Sequence, residues 1–122
     1  MQPTFNSQQP LFLSIAQWLE DAILAGIYEE EGQVPSITEI SVQYNMNPAT
    51  ALKGINILVD SGLLYKRRGL GMFVSSGART KLLKQRHHKF FDDYVLPLVN
   101  EAKRLEIENA KLKDMIERGY KI

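Results

Sequence analysis

Cysteine is absent from the 122 residues, which removes disulfides, thiolate metal sites and a thiol nucleophile together. Long apolar runs are absent too, and none approaches the roughly 18 residues that a membrane-crossing helix requires. The opening MQPTFNSQQP lacks the basic and apolar regions of a secretory leader, so the expected compartment is the cytoplasm. Histidine is reduced to two neighbours, His87 and His88, which point about 100° apart on a helix and cannot share one ion. His88 with Asp92 supplies only two ligands, so no metal is expected. Neither a paired-carboxylate cleft pattern nor a phosphate-cradling glycine loop of Walker or dinucleotide type is present. The chain is expected not to be an enzyme and to carry no cofactor.

What remains is 44% hydrophobic and 24% charged, the balance of a soluble globular protein. The net charge of +1 conceals an asymmetry. Residues 1–77 hold four cations (Lys53, Lys66, Arg67, Arg68) against seven anions, whereas residues 78–122 hold eleven against seven. Such a chain is no general polyanion binder, but it can be a local one, because contact electrostatics depend on position rather than on the sum.

Phe12, Ile15, Ala16, Leu19 and Ile23 recur at helical spacing and mark an amphipathic helix between Pro10 and Gly26. The following IYEEEGQV is short and irregular or extended, with YEEEG read as a solvated turn. A second helix opens on Ser36, whose pairing with Glu39 three residues on makes a capping box, and it ends near Gln43 or Tyr44. A third begins with Asn47 as cap and Pro48 in the first position, runs to Asp60 and stops at Gly62. On its wheel Ala51, Ile55, Leu58 and Val59 share one side, while Ala49, Lys53, Asn56 and Asp60 share the other; Ile57 projects outward as contact surface. Two helices joined by a turn of about three residues form the helix-turn-helix pattern. LLYKRRGLGMFVSS then reads as two strands about a turn bearing Gly69 and Gly71. Three helices and a hairpin make a winged helix, with Lys66, Arg67 and Arg68 at the wing.

From Arg79 the pattern is helical again, with no glycine before Gly119 and one proline, Pro97, that interrupts or kinks it. In RTKLLKQRHHKF the cations form a wet face, with Leu82, Leu83 and Phe90 buried; the alternative is an extension of the basic surface. Leu98, Leu105 and Leu112 fall seven apart, with Ala102, Asn109 and Ile116 in complementary positions. These stripes need a partner. Either one continuous helix pairs with Asn109 setting register, or the chain breaks near Glu106–Ile107 and a last helix folds back. Leu98, Val99, Ala102, Leu105, Leu112 and Ile116 are the expected interface in both cases. The fold class is therefore mainly α with a small β-hairpin: a winged helix over 1–77 and a helical dimerisation region over 78–122.

PLFLSIAQWLEDAILAGIY, VPSITEI, NPATALKGINILVDSGLL and RRGLGMFV, in that order over residues 10–75, resemble the GntR family of transcription regulators. The short helical tail resembles its small YtrA-type subfamily. The resemblance implies dimerisation through the tail, the tail break near Glu106, and control of a transporter operon that includes the regulator's own gene. It also implies DNA contacts from Ser36, Thr38, Asn47, Pro48, Ala49, Thr50, Lys53, Lys66, Arg67, Arg68, Gly69, Leu70 and Gly71. Three positions depart from the family pattern: Thr38 stands where an arginine is usual, Leu52 where a polar or basic residue is common, and Leu70 where the wing is often basic.

The expected function is repression by a homodimer on a palindrome of double-stranded DNA, with half-sites about one helical turn or a multiple apart. Small side chains at the start of the third helix admit its backbone to a major groove about 12 Å wide, while the wing grips phosphate. A small-molecule effector has no identified pocket. The rival is a winged helix used for protein contact, its wing cations docking an acidic partner.

Overall fold

The computed structural model describes residues 9–122. The N-terminal residues read above as lacking a leader, and the start of the 1–77 region, lie largely outside that range. Helix α1 spans Leu11–Leu24 and buries Ile15, Leu19 and Ile23 along one face. It ends where Gly26 takes φ +80°, letting Ile27 N–H turn back to the Ala22 carbonyl at 2.9 Å. Helix α2 spans Ile37–Gln43 behind the complete capping box of Ser36 and Glu39, and α3 spans Pro48–Asp60 behind Asn47.

Burial on α3 selects Ala51, Gly54, Ile55 and Leu58, with Val59 and Ile57 only half-buried against the core. Gly54 is where α1 crosses. A Cβ there would stand 2.8 Å from the Phe12 carbonyl oxygen and 2.9 Å from Ile15 Cγ2, so the two backbones meet at a separation that only glycine allows. Ile40 from α2 and the edge-on pair of Trp18 and Tyr44, ring centroids 5.7 Å apart, close the other side. Each fully buried large aliphatic residue here contributes about 1.5–3 kcal/mol relative to exposure.

Strands β1 (Leu64–Arg67) and β2 (Gly71–Val74) pair antiparallel with Leu64 opposite Val74 and Arg67 opposite Gly71. Residues 31–34 add a short third edge to β2. Glu31 N–H donates to the Val74 carbonyl, Val74 N–H to that of Gly32, and Val34 N–H to that of Met72, all within 3.0 Å. The segment is thus extended. It bonds to β2 too briefly to show an alternation of its own in the sequence. Leu63, Leu64 and Val74 seat the hairpin on the α1–α3 core, joined by Ala78 and Leu82.

Helix α4 spans Ala78–Phe90, and the described chain divides into two compact units between its residues Leu83 and Lys84. Leu82 is buried and Leu83 half-buried as expected, but Phe90 is 56% exposed. Its ring lies against that of Tyr94, centroids 5.3 Å apart, instead of entering a core. Phe90 falls in the second unit, whereas the core cluster that takes in Leu82 belongs to the first; Phe91–Val95 then form a π-helical turn before α5 (Leu96–Arg104). Pro97 has no N–H and would crowd a regular preceding turn, and the wider turn relieves it. The tail is not one helix. Glu106 adopts φ +59°, Ile107 N–H returns to the Ala102 carbonyl at 2.8 Å, and α6 restarts at Asn109–Tyr120. Asn109 therefore begins a helix and does not set register inside one.

Gly54→Ala gains about 1 kcal/mol of helix propensity but meets a backbone oxygen that cannot swing away. Overpacking typically costs about 1–3 kcal/mol. A net fall in thermal midpoint of several degrees is expected in calorimetry; an unchanged or raised midpoint would contradict the crossing described.

Candidate nucleic-acid interface

The turn between α2 and α3 places Ser36 and Thr38 at the start of one helix and Asn47 to Lys53 at the start of the next. Ser36 is engaged: its hydroxyl accepts from Glu39 N–H at 3.0 Å, and its own N–H donates to Glu39 Oε1 at 3.1 Å. Thr38 is exposed in the same turn. Asn47 Oδ1 accepts from Ala49 N–H at 2.9 Å, and Thr50 N–H is bonded to the Asn47 carbonyl at 2.9 Å. Since Pro48 has no N–H, the first turn of α3 presents a positive dipole end but no unengaged amide among these residues. Pro48 and Ala49 are exposed, and Thr50 is half-buried.

One turn further, Lys53 is exposed, with its Nζ 4.0 Å from the centroid of the Phe12 ring on α1. This is cation–π geometry, and it fixes where the ammonium sits. Phe12, Ala49, Leu52, Lys53, Asn56, Ile57 and Asp60 together line a shallow hollow along the outer side of α3. Phe12 looked like one more core residue in the periodicity, and nothing local in the sequence pairs it with Lys53.

Strand alternation splits the cationic triplet. Arg67 shares a face with Tyr65 and Phe73, its guanidinium carbon 4.8 Å from the Phe73 centroid, while Lys66 lies on the other face opposite Met72. Arg68, Gly69 and Leu70 form the exposed tip, closed by Leu70 N–H to the Arg67 carbonyl at 2.9 Å. Gly69 has φ +78° and Gly71 φ +118°. At Gly71 the need is also steric, because a Cβ would stand 2.8 Å from Gln33 Nε2, the amide that donates to the Leu70 carbonyl at 2.6 Å. Glu31 accepts from the Tyr65 hydroxyl, so the acidic loop is not merely a solvated turn but braces the wing. Gln33 and Glu31 lie more than thirty residues from their partners, beyond the reach of any local pattern. Two cations of α4 are structural as well. Arg79 Nε donates to the Leu24 carbonyl at 3.0 Å and Lys81 Nζ to that of Ser61, capping the ends of α1 and α3.

In the second unit Leu98, Leu105 and Ile116 are exposed, Val99 and Leu112 half-buried, and Ala102 buried. Val99, Ala102, Ile107, Leu112 and Ile116 line a groove of about 280 Å³. Phe91, Tyr94 and Leu96 are exposed apolar residues as well, and the seven-residue spacing did not select them.

The family model of bacterial regulatory proteins, gntR family, matches residues 11–74, which runs from α1 through β2. The HTH-type transcriptional repressor YtrA of Bacillus subtilis is 26% identical over 111 residues, covering 91% of this chain and 85% of that protein. Other relatives are longer, and the chain spans 49% of one and 29% of another. A chain from Bacteroides thetaiotaomicron described as a transcriptional regulator of the GntR family superposes with a TM-score of 0.72 at 31% identity, over 91% of this chain and 96% of that one. The DNA-binding domain of AraR in complex with operator ORE1 superposes with a TM-score of 0.53 at 27% identity, over 62% of this chain and 94% of that one.

Two outcomes test the wing. Gly71→Ala forces the Gln33 amide off Leu70, so exchange of the Leu70 and Met72 amides should accelerate about tenfold with the helices unaffected. Donation to Glu31 raises the Tyr65 hydroxyl above its ordinary value of 10.0. The tether is therefore complete below pH 10 and is lost as pH climbs through the raised value. Ultraviolet titration should show a late-ionising tyrosine that Tyr65→Phe removes and Glu31→Ala moves down.

Proposed function

The chain belongs to the gntR family of bacterial regulatory proteins, and from that premise we propose that it is a sequence-specific transcriptional repressor acting as a homodimer on a palindromic operator. Residues 1–77 are the DNA-binding part and residues 78–122 the dimerisation part. The observation that carries this is the exposed start of α3 together with an exposed, cation-bearing hairpin tip, both inside the family-matched segment.

In mechanism, Pro48, Ala49 and Thr50 are small enough to let the start of α3 approach base edges in the major groove. Lys53, held by Phe12, meets phosphate at the helix flank. Arg68 at the tip and Lys66 and Arg67 on the two faces of the ribbon grip the backbone to either side, and Gly69, Leu70 and Gly71 bring the turn close. Ser36 orients α2, and Thr38 is exposed in its first turn. These phosphate contacts set affinity and register, whereas α3 supplies discrimination.

Dimerisation is supported by the exposed Leu98, Leu105 and Ile116 and by the extent of the YtrA similarity, whose 111 residues run into the tail. Val99 and Leu112 would contribute partly covered area, and Ala102 would support the helix from beneath. Two copies related by a two-fold axis read inverted half-sites about one helical turn, or a multiple, apart. Following the subfamily expectation, the operator controls a transporter operon containing the regulator's own gene.

The test is binding to the DNA upstream of that gene across salt. Arg67→Ala with Arg68→Ala should remove about two phosphate contacts per subunit, flattening the dimer's log–log salt slope by roughly 3–4. Unchanged binding would instead assign the cations to an acidic protein partner. Leu105→Glu with Ile116→Glu should sediment as a monomer and lose operator binding; a dimer that persists would place the interface elsewhere.

A further inference from the structure

Resting on the proposal that α3 enters a major groove, we infer that Leu52, with Ala49, reads the 5-methyl groups of thymine, so that this chain selects its half-site chiefly by apolar contact with A·T pairs. Leu52 is 42% exposed and lines the outer hollow of α3 together with Ala49, Lys53 and Asn56. It lies four residues after Pro48 and three after Ala49, so the three apolar side chains form one patch that begins at the helix start.

The polar inventory of the same surface is short, and its one exposed amide beyond the helix start, Asn56, is a side chain that pairs with adenine and not with guanine. No arginine occurs anywhere in α3. Asn47 has its side-chain oxygen committed to the Ala49 amide, and Thr50 is half-buried. Lys53 alone carries positive charge there, and its ammonium sits 4.0 Å from the Phe12 ring centroid on α1, displaced to the helix flank. At the far end Asp60 places a carboxylate in the hollow, which opposes approach of phosphate to the last turns and favours engagement by the first two. Guanine offers two acceptors to the major groove and is read best by a paired-donor arginine or lysine. This surface has no such arginine and one lysine already docked. The thymine methyl is the one apolar group that base edges present in that groove, and an exposed leucine beside an alanine and a proline is its chemical complement.

The experiment uses the purified full chain and duplexes it selects from a random-sequence pool at low salt. The tightest duplex is resynthesised with deoxyuridine replacing thymidine one position at a time, which removes only the methyl group. At one or more positions in each half-site the unaltered protein should lose about fourfold in affinity, the worth of one buried methyl. Leu52→Ala should lose a comparable factor on the methylated duplex and become indifferent to uracil at one or more of those positions in each half-site, and Leu52→Arg should shift selection toward guanine. Uracil duplexes bound as tightly as the parent at every position would overturn the inference while leaving the proposed function standing, as would a Leu52→Ala protein that keeps the parent's full sensitivity at every uracil position. Failure to select any duplex would remove the proposed function, and the inference with it.

Discussion

Where α1 crosses α3, the Phe12 carbonyl rests against the face of Gly54 with no room for a Cβ, and much of the first unit takes its positions from that contact. A helix of 13 residues such as α3 is marginal by itself in water; it exists because Ala51, Gly54, Ile55 and Leu58 are covered. The same coverage decides what is left outside. With Gly54 turned to α1, the opposite side must carry Ala49, Leu52, Lys53, Asn56 and Asp60, and the crossing brings the Phe12 ring up to Lys53. The shape of the candidate surface is therefore a by-product of helix packing, and a change in the crossing would move the one cation on α3.

The hairpin depends on a second tier of constraint. Only four residues long in each strand, it would be unstable alone. One end is seated by Leu63, Leu64 and Val74 in the core. The 31–34 segment then braces it along its length, through backbone bonds to Val74 and Met72, the Glu31 carboxylate on Tyr65 and the Gln33 amide at the turn. The cations at the tip are presented by a braced ribbon. Bracing lowers the conformational entropy that would otherwise be lost when the tip meets a rigid partner.

The helices were legible because their signals are local. Apolar spacing marked α1, the Ser36–Glu39 box and the Asn47–Pro48 pair marked the starts of α2 and α3, and Gly62 marked an end. The residues most of the candidate surface rests on were legible for the same reason: Pro48, Ala49 and Lys53 are outward by periodicity, and the wing by its glycines. What could not be read was contact between distant segments. Gln33, Glu31 and Phe12 act on partners 34 to 41 residues away in the chain, and the cations Arg79 and Lys81 looked like a solvated face although each caps a helix end. Phe90 failed differently: helical spacing put it on the face of Leu83, but it falls in the second unit, past the core that takes in Leu82. The break at Glu106 was expected from the subfamily resemblance and not from a local signal, because a glutamate in place of a glycine carries the left-handed conformation there.

That left-handed glutamate bears on how the second unit is held. A non-glycine residue at φ +59° is disfavoured by about 1–2 kcal/mol, so something must over-determine the turn. Within the unit, Ile107 N–H to the Ala102 carbonyl and the groove from Val99 to Ile116 supply part of it. Leu105, Met115, Ile116 and Tyr120 nevertheless stay exposed around the same turn, and exposed area of that kind contributes nothing until it is covered. A second copy of the chain would cover it and stabilise the bend at the same time. If the proposed dimer forms through this face, association and the folded-back turn would stabilise each other.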